Sequence, residues 1–498
     1  MSRRDEPATR RPDLGGRSTV FGTKGAVACE HPSAAVIGLR VLDNGGTAAD
    51  ACVAMAAAMA VLSPMQTGMG GDAFLLFYEA ETGRVTGVNG AGRAPGALTV
   101  EKLLDLGEMP ELGGLTVTVP GAVRLWEDTA NRYGNQPLAR LLEPAWELAE
   151  NGHPVAEVVA RYWEEHEEVV RKNEAATRTF LPEARAPAAG EIFSQVDLAA
   201  TISAIAERGA DAFYKGEIAA SIARSTQEAG GYLSEEDLAA HESTFVEPIS
   251  TDYRGVRVYE IPPPGQGVAA LEMLNILEGF DLASMEPSSA DRIHLEVEAK
   301  KLAFEDLHGR IGDPEFSEIP TAELLSKEYA ARLRKSISSD AAAVVSPPDP
   351  GGDTIYLCAV DAEGNGCSFI NSLYKGFGSG IVAEGTGVCL HNRGNSFRLE
   401  PGRPNTIARS REAPDAHPHS WPRYQRRSPV GRLRRDGRSD AAPGPRTRTG
   451  RPSRLRYGPS GGGRAPSSPP RERRPPNRGS PPRGGDSQPA RSRSSHRG

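Results

Sequence analysis

The stretch Gly352-Asp353-Thr354-Ile355-Tyr356-Leu357-Cys358-Ala359-Val360-Asp361 is followed by Glu363-Gly-Asn365 and then Gly366-Cys367-Ser368-Phe369-Ile370-Asn371-Ser372. Residues 354–361 and 366–372 read as two apolar strands joined by a glycine-bearing turn, a hairpin. In front of them Ser346-Pro-Pro-Asp-Pro-Gly-Gly352 reads as a linker-like loop. Asp353-Thr354 therefore stands at the mouth of the hairpin. A threonine hydroxyl is a weak nucleophile that needs a base. Cleavage of the bond before Thr354 would leave a new α-amine beside that hydroxyl. Such an amine, with a reference pKa of about 8, can accept a proton at neutral pH. By spacing alone, though, a threonine that begins a strand is ordinary.

Further out, a second hairpin block lies near the N-terminus. Gly25 to Cys29 reads as a short buried strand, and Pro32 to Asn44 as a helix stopped at Gly45-Gly46. Thr47 with Asp50 three residues on forms a capping-box pattern for the next helix. Gly68-Met-Gly-Gly-Asp72 is a tight loop leading into the strand Ala73–Tyr78, which turns at Glu81-Thr-Gly83 into Val85–Asn89. Between the two blocks, helical patterns cover 138–151, 155–172, 197–208, 216–229 and 289–306, and 253–261 reads as a strand. Two hairpin-rich blocks separated by a helical middle predict sheets covered by helices.

Composition narrows the function classes. Residues 411–498 hold 22 Arg, no Lys and six acids, about +16, whereas the whole chain is −7; residues 1–410 are therefore about −23. An acidic body excludes binding to nucleic acid or an anionic membrane. The tail, with 16 Pro and three aliphatic residues (Val430, Leu433, Leu455), lacks the apolar surface to offset chain entropy and is expected to be disordered, as are residues 1–20. Cys29, Cys52, Cys358, Cys367 and Cys389 form no CxxC pair, against a disulfide framework or zinc site. The most apolar run, Ala48 to Leu62, is shorter than the ~20 residues of a membrane span and reads as a buried alanine-rich helix. No secretory signal pattern opens the chain. A cytoplasmic protein without metal or other cofactor is expected. His294 and Glu298 share a helix face without a third ligand.

Ordered blocks carry a resemblance. They are Lys24-Gly-Ala-Val-Ala, His31-Pro-Ser-Ala-Ala, Gly45-Gly-Thr-Ala-Ala-Asp50, Gly68-Met-Gly-Gly71, Val119-Pro-Gly-Ala-Val123, residues 147–154, Pro262-Pro-Pro264, Lys300-Lys-Leu-Ala-Phe304, Gly352-Asp-Thr354 and Gly376 to Ile381. Together they resemble the gamma-glutamyltransferase (glutathione hydrolase) family. The resemblance implies an α+β fold, a four-layer αββα sandwich of the N-terminal-nucleophile hydrolase type. It also implies a precursor split between Asp353 and Thr354 into large and small subunits. Residues 21–353 match the large subunit and 354–408 the start of the small one. Thr354 falls on the nucleophile, which attacks a γ-glutamyl or related amide and passes the acyl group to water or an amine. Ser372 falls on the family's second hydroxyl.

The sequence departs from that pattern at the substrate side. The position of the family's carboxylate-binding arginine is Ala91, with Arg93 two residues later as a candidate replacement. Tyr374, Arg393 and Ser396 stand where the family has Asn, Gln and Asp, and are the other candidate substrate-binding residues. Loss of that Asp removes the partner of a substrate ammonium, so tight binding of an ordinary γ-glutamyl head group is not expected. Gly90-Ala-Gly-Arg-Ala-Pro95 with Asn392-Arg-Gly394 resembles a cytoplasmic branch of the family. After Pro404-Asn405 the resemblance stops, so part of the small subunit is missing and 409–498 becomes a basic tail. Synonymous codons for 412–425 and 431–446, read one base later, permit segments like the family's missing ones, paired glycines included. A shifted reading frame after about residue 408 is expected. Such a chain could equally be a non-catalytic, unprocessed product.

Overall fold

The computed structural model describes residues 20–103, 106–343, 353–397 and 399. The expected arm, the 346–352 loop and the Arg/Pro-rich tail lie outside the described residues, except Val20 at the arm's end.

The core is built around one helix. Helix α1 (Pro32–Asp43) is followed by α2 (Ala48–Leu62), all fifteen of whose residues are buried. Alanine and valine all round leave no polar stripe, so the helix must be enclosed on every side. It packs against α1 and against α4 (Leu138–Asn151), which follows α3 (Ala122–Tyr133). The expected capping box is present: Asp50 N–H donates to Thr47 Oγ1 at 3.2 Å and Thr47 N–H to Asp50 Oδ2 at 2.9 Å. A third residue, Asp361, at the turn of the distant hairpin, accepts from Ala48 N–H at 3.0 Å and ties that hairpin to the helix start.

Six strands form one sheet: β1 (Ala26–Ala28), β2 (Asp72–Glu79), β3 (Arg84–Asn89), β4 (Thr244–Val246), β5 (Asp353–Val360) and β6 (Gly366–Tyr374), in the order β1-β5-β6-β2-β3-β4. Every pairing is antiparallel. The two hairpins that the sequence presents as separate blocks thus become neighbours, with β6 laid along β2. Inward residues of both, Leu75, Phe77, Ile355, Leu357 and Phe369, join α2 in the largest core.

Two expected elements differ. Residues 155–172 form two helices, Glu157–Glu165 and Glu167–Val170, because His166 leaves helical geometry and its Nδ1 lies 2.8 Å from the Tyr162 carbonyl. Residues 253–261 are not one strand. Ile249–Tyr253 and Val256–Glu260 pair across a tight turn in which Arg254 and Gly255 both have positive φ, the requirement of a two-residue hairpin. Among the described residues no helix is long and apolar enough to cross a membrane.

Candidate active site

β5 and β6 stay in register from Val360↔Gly366 to Ile355↔Asn371, and the next pair is Asp353↔Tyr374. One residue, Thr354, therefore opposes two, Ser372 and Leu373. A bulge of this kind re-aims a side chain. Here the residue displaced is Tyr374; the alternation that buries Phe369 also buries Leu373, whose N–H rests on the Gln66 carbonyl at 3.0 Å, and leaves Ser372 on the face of Thr354. The two hydroxyl oxygens lie 2.9 Å apart. Thr354 is exposed and Ser372 is buried. Tyr374, at φ +80°, donates its N–H to Ser372 Oγ at 2.8 Å, so a backbone group also orients the serine.

The other side of Ser372 is built by the Gly68–Asp72 loop. Ser372 sits directly across from Asp72 in the β6–β2 ladder. Gly71 packs so closely that a Cβ there would come 2.2 Å from the Ser372 carbonyl oxygen. The Gly71 carbonyl in turn accepts from Gly121 N–H at 2.9 Å and Ala122 N–H at 3.1 Å, docking the start of α3. Asn371, fully buried, accepts from Trp126 Nε1 at 3.0 Å and donates to the Gly68 carbonyl at 3.2 Å.

Asp72, 1% exposed, is forked by Arg393: Nε donates to Oδ2 at 2.6 Å and Nη2 to Oδ1 at 2.9 Å. Burial alone would raise the Asp72 carboxyl, but the Arg393 charge and its hydrogen bonds outweigh it and hold the group below its ordinary value. It stays ionised. His391 lies alongside, Nδ1 3.9 Å from Asp72 Oδ2; burial lowers its pKa, and Nε2 lies 3.0 Å from the Thr118 carbonyl. The imidazole is therefore neutral near pH 7, with the Nε2 proton given to that carbonyl. The Arg393 guanidinium lies over the Tyr374 ring, 4.5 Å from its centroid.

Of the residues singled out in the sequence, Thr354, Ser372, Tyr374 and Arg393 come together. Asp353 begins β5 opposite Tyr374. Ser396 does not present its hydroxyl outward: Oγ donates to the Arg393 carbonyl at 2.8 Å and closes the short turn that carries the arginine. Arg93 Nη2 donates to both carboxylate oxygens of Glu315 at the surface, at 3.0 and 2.8 Å, and among the described residues no contact joins it to the hydroxyl pair. His294 approaches the Ser338 carbonyl, whereas Glu298 pairs with Lys301, so the two face different partners. Asp72 and His391 were missed. A charged residue heading an otherwise apolar strand, straight after a glycine loop, was the available signal for Asp72. Nothing in the sequence marks His391.

The fold that carries this hydroxyl pair, a helix-covered antiparallel sheet, is shared with solved structures. The chain superposes on the cephalosporin acylase from Bacillus halodurans with a TM-score of 0.74 and 42% identity, covering 82% of this chain and 76% of that one. The fold is that of the N-terminal-nucleophile hydrolases. The gamma-glutamyltranspeptidase profile matches residues 34–427. The glutathione hydrolase-like YwrD proenzyme of Bacillus subtilis is 40% identical over 390 residues, 78% of this chain and 74% of that protein. The glutathione hydrolase proenzyme of Escherichia coli is 34% identical over 400 residues, 78% and 69% of the respective chains. The chain belongs to the gamma-glutamyltranspeptidase family of enzymes.

Proposed function

We propose that the chain is a proenzyme that cleaves itself before Thr354 and then uses Thr354 as the nucleophile of an amidohydrolase and acyltransferase. The observation that carries this reading is the 2.9 Å contact between the Thr354 hydroxyl, at the start of β5, and the Ser372 hydroxyl, near the end of β6. The threonine hydroxyl first attacks the carbonyl of Asp353, an N-to-O shift that converts the amide to an ester, and water then releases the fragment ending at Asp353. The freed amine takes the proton of its own hydroxyl in each later turnover, and Ser372 holds that amine in place. The amine passes that proton to the departing nitrogen as the acyl-enzyme forms; water or an incoming amine then attacks the ester, and its proton returns through the α-amine to the threonine oxygen. The substrates are γ-glutamyl or related amides; the relatives named above include both glutathione hydrolases and a cephalosporin acylase. The large and small fragments, 21–353 and 354–408, stay together as one enzyme. We assign it to the cytoplasm, where a reducing environment suits five free cysteines.

A denaturing gel with mass spectrometry tests the reading. Two fragments meeting at Asp353/Thr354 are expected, and Thr354→Ala should leave one intact band and no release of p-nitroaniline from γ-glutamyl-p-nitroanilide. Turnover by that variant would overturn the mechanism. The composition of 411–498, 22 Arg with no Lys, favours a second reading of this particular chain as an out-of-frame, unprocessed and non-catalytic product. A single intact band from the unmutated chain selects it.

A further inference from the structure

An arginine that forks a buried carboxylate sideways, through Nε and one Nη, uses two of its five donors. In Arg393 the two Nη1 hydrogens and one on Nη2 remain, and they lie along the outer edge of the guanidinium. Among the described residues nothing accepts from Nη1, although the side chain is only 29% exposed. These half-buried donors face water in the free chain, and their edge matches a carboxylate in shape. The Tyr374 ring fixes the plane of that edge, and Tyr374 also orients Ser372. Asp72, which anchors the inner edge, lies directly across the ladder from Ser372. Opposed side chains in such a ladder stand ~5 Å apart, so Ser372, in contact with Thr354, and Asp72, in contact with Arg393, bring the nucleophile and the guanidinium to one end of the sheet.

We propose that Arg393, backed by Asp72 and planed by Tyr374, binds the distal carboxylate of the acyl group, and that the preferred acyl donors end in a carboxylate with no ammonium beside it. This rests on the acyl-transfer reading above. An ammonium brought to this edge meets a guanidinium. Asp72, the carboxylate in contact with that guanidinium, has both oxygens taken and is 1% exposed. Ser396, at the position where the resemblance expects an ammonium partner, carries no charge and spends its hydroxyl on the Arg393 carbonyl. Asp72 thus acts as a positioning residue, and selection against the cation follows from its being consumed.

Equilibrium binding of product acids tests this without requiring turnover. Isothermal titration of the purified full chain with glutarate, glutamate and butyrate is expected to rank glutarate at least tenfold above glutamate, with butyrate weaker still. Arg393→Lys keeps the charge opposite Asp72 but loses the second edge; it should weaken glutarate at least tenfold while the melting temperature stays within a few degrees. Equal binding of glutamate and glutarate, no binding of glutarate, or wild-type affinity in Arg393→Lys overturns the assignment. Failure of self-cleavage with these binding ranks intact would overturn the proposed chemistry alone.

Discussion

Ser372 reaches Thr354 because Ile355 and Asn371 pair facing the core, so the next residue of each strand falls on the opposite face, where the two hydroxyl oxygens lie 2.9 Å apart. Alternation alone sends Leu373 inward with Phe369 and leaves Ser372 on the face of Thr354; the extra residue shifts only the end of the ladder, pairing Tyr374 with Asp353.

Removing the serine hydroxyl should therefore slow chemistry without unfolding the chain. One net hydrogen bond is worth about 1 kcal/mol, roughly a factor of five to ten in rate. Ser372→Ala is expected to delay self-cleavage by at least that factor, read as a time course on a denaturing gel. Cleavage at the unmutated rate would remove Ser372 from the mechanism.

Gly71 sets how close β2 comes to β6. A methyl group there would meet backbone oxygen at 2.2 Å, a contact that no rotamer relieves. Gly71→Ala is expected to cost about 1–3 kcal/mol, lowering the melting temperature, and to suppress self-cleavage by displacing Ser372. A variant that melts and matures like the original would show that the loop can move aside.

The Asp72–Arg393 pair makes a claim about acid stability. Its folded carboxyl is held below the unfolded value, so its stabilisation is complete above the unfolded value of about 4 and is lost as pH falls through the lower, folded one. Asp72→Ala strands the guanidinium and should cost about 3 kcal/mol, the low end for a broken buried pair, because Arg393 keeps some water. Urea titrations at pH 7 and pH 3 should show that penalty at the first and a smaller one at the second.

Glu272 behaves in the opposite sense. Burial, and then the neighbouring Asp306 carboxylate, push its pKa up to about 9. The folded state thus holds a proton that the unfolded chain has released, and stability contributed by this group declines as pH rises from about 4 toward 9. Glu272→Gln is expected to be close to neutral at pH 4 and stabilising at pH 8. Thermal melts at both values check it, and an unchanged pH dependence would show that Glu272 is ionised in the fold.

Glutathione should be a poor substrate. Ala91 carries no charge, Ser396 is spent on the Arg393 turn, and Asp72 is closed to an ammonium. Release of glutamate from glutathione should fall at least tenfold below release of an acid lacking the amine. Comparable rates would contradict it.

Local chemistry made much of this legible. The capping box at Thr47 and Asp50, the alanine-rich buried helix, both hairpins and the threonine at a strand mouth follow from residue type and spacing, since caps, turns and period-two patterns act within a few residues. Breaks at His166 and at Arg254-Gly255 were harder, because a single residue's dihedral angles overrode a continuing hydrophobic pattern.

Legible in the sequence by itself were the family-like order of motifs and the hairpin of β5 with β6, while the hydroxyl pair was only implied by the resemblance. Only the tertiary structure decided which strand lies beside Ser372 and what Arg393 holds. Asp72 and Arg393 are 321 residues apart, and their meeting depends on β6 pairing with β2, a choice made by burial of both strands against one helix rather than by any local preference.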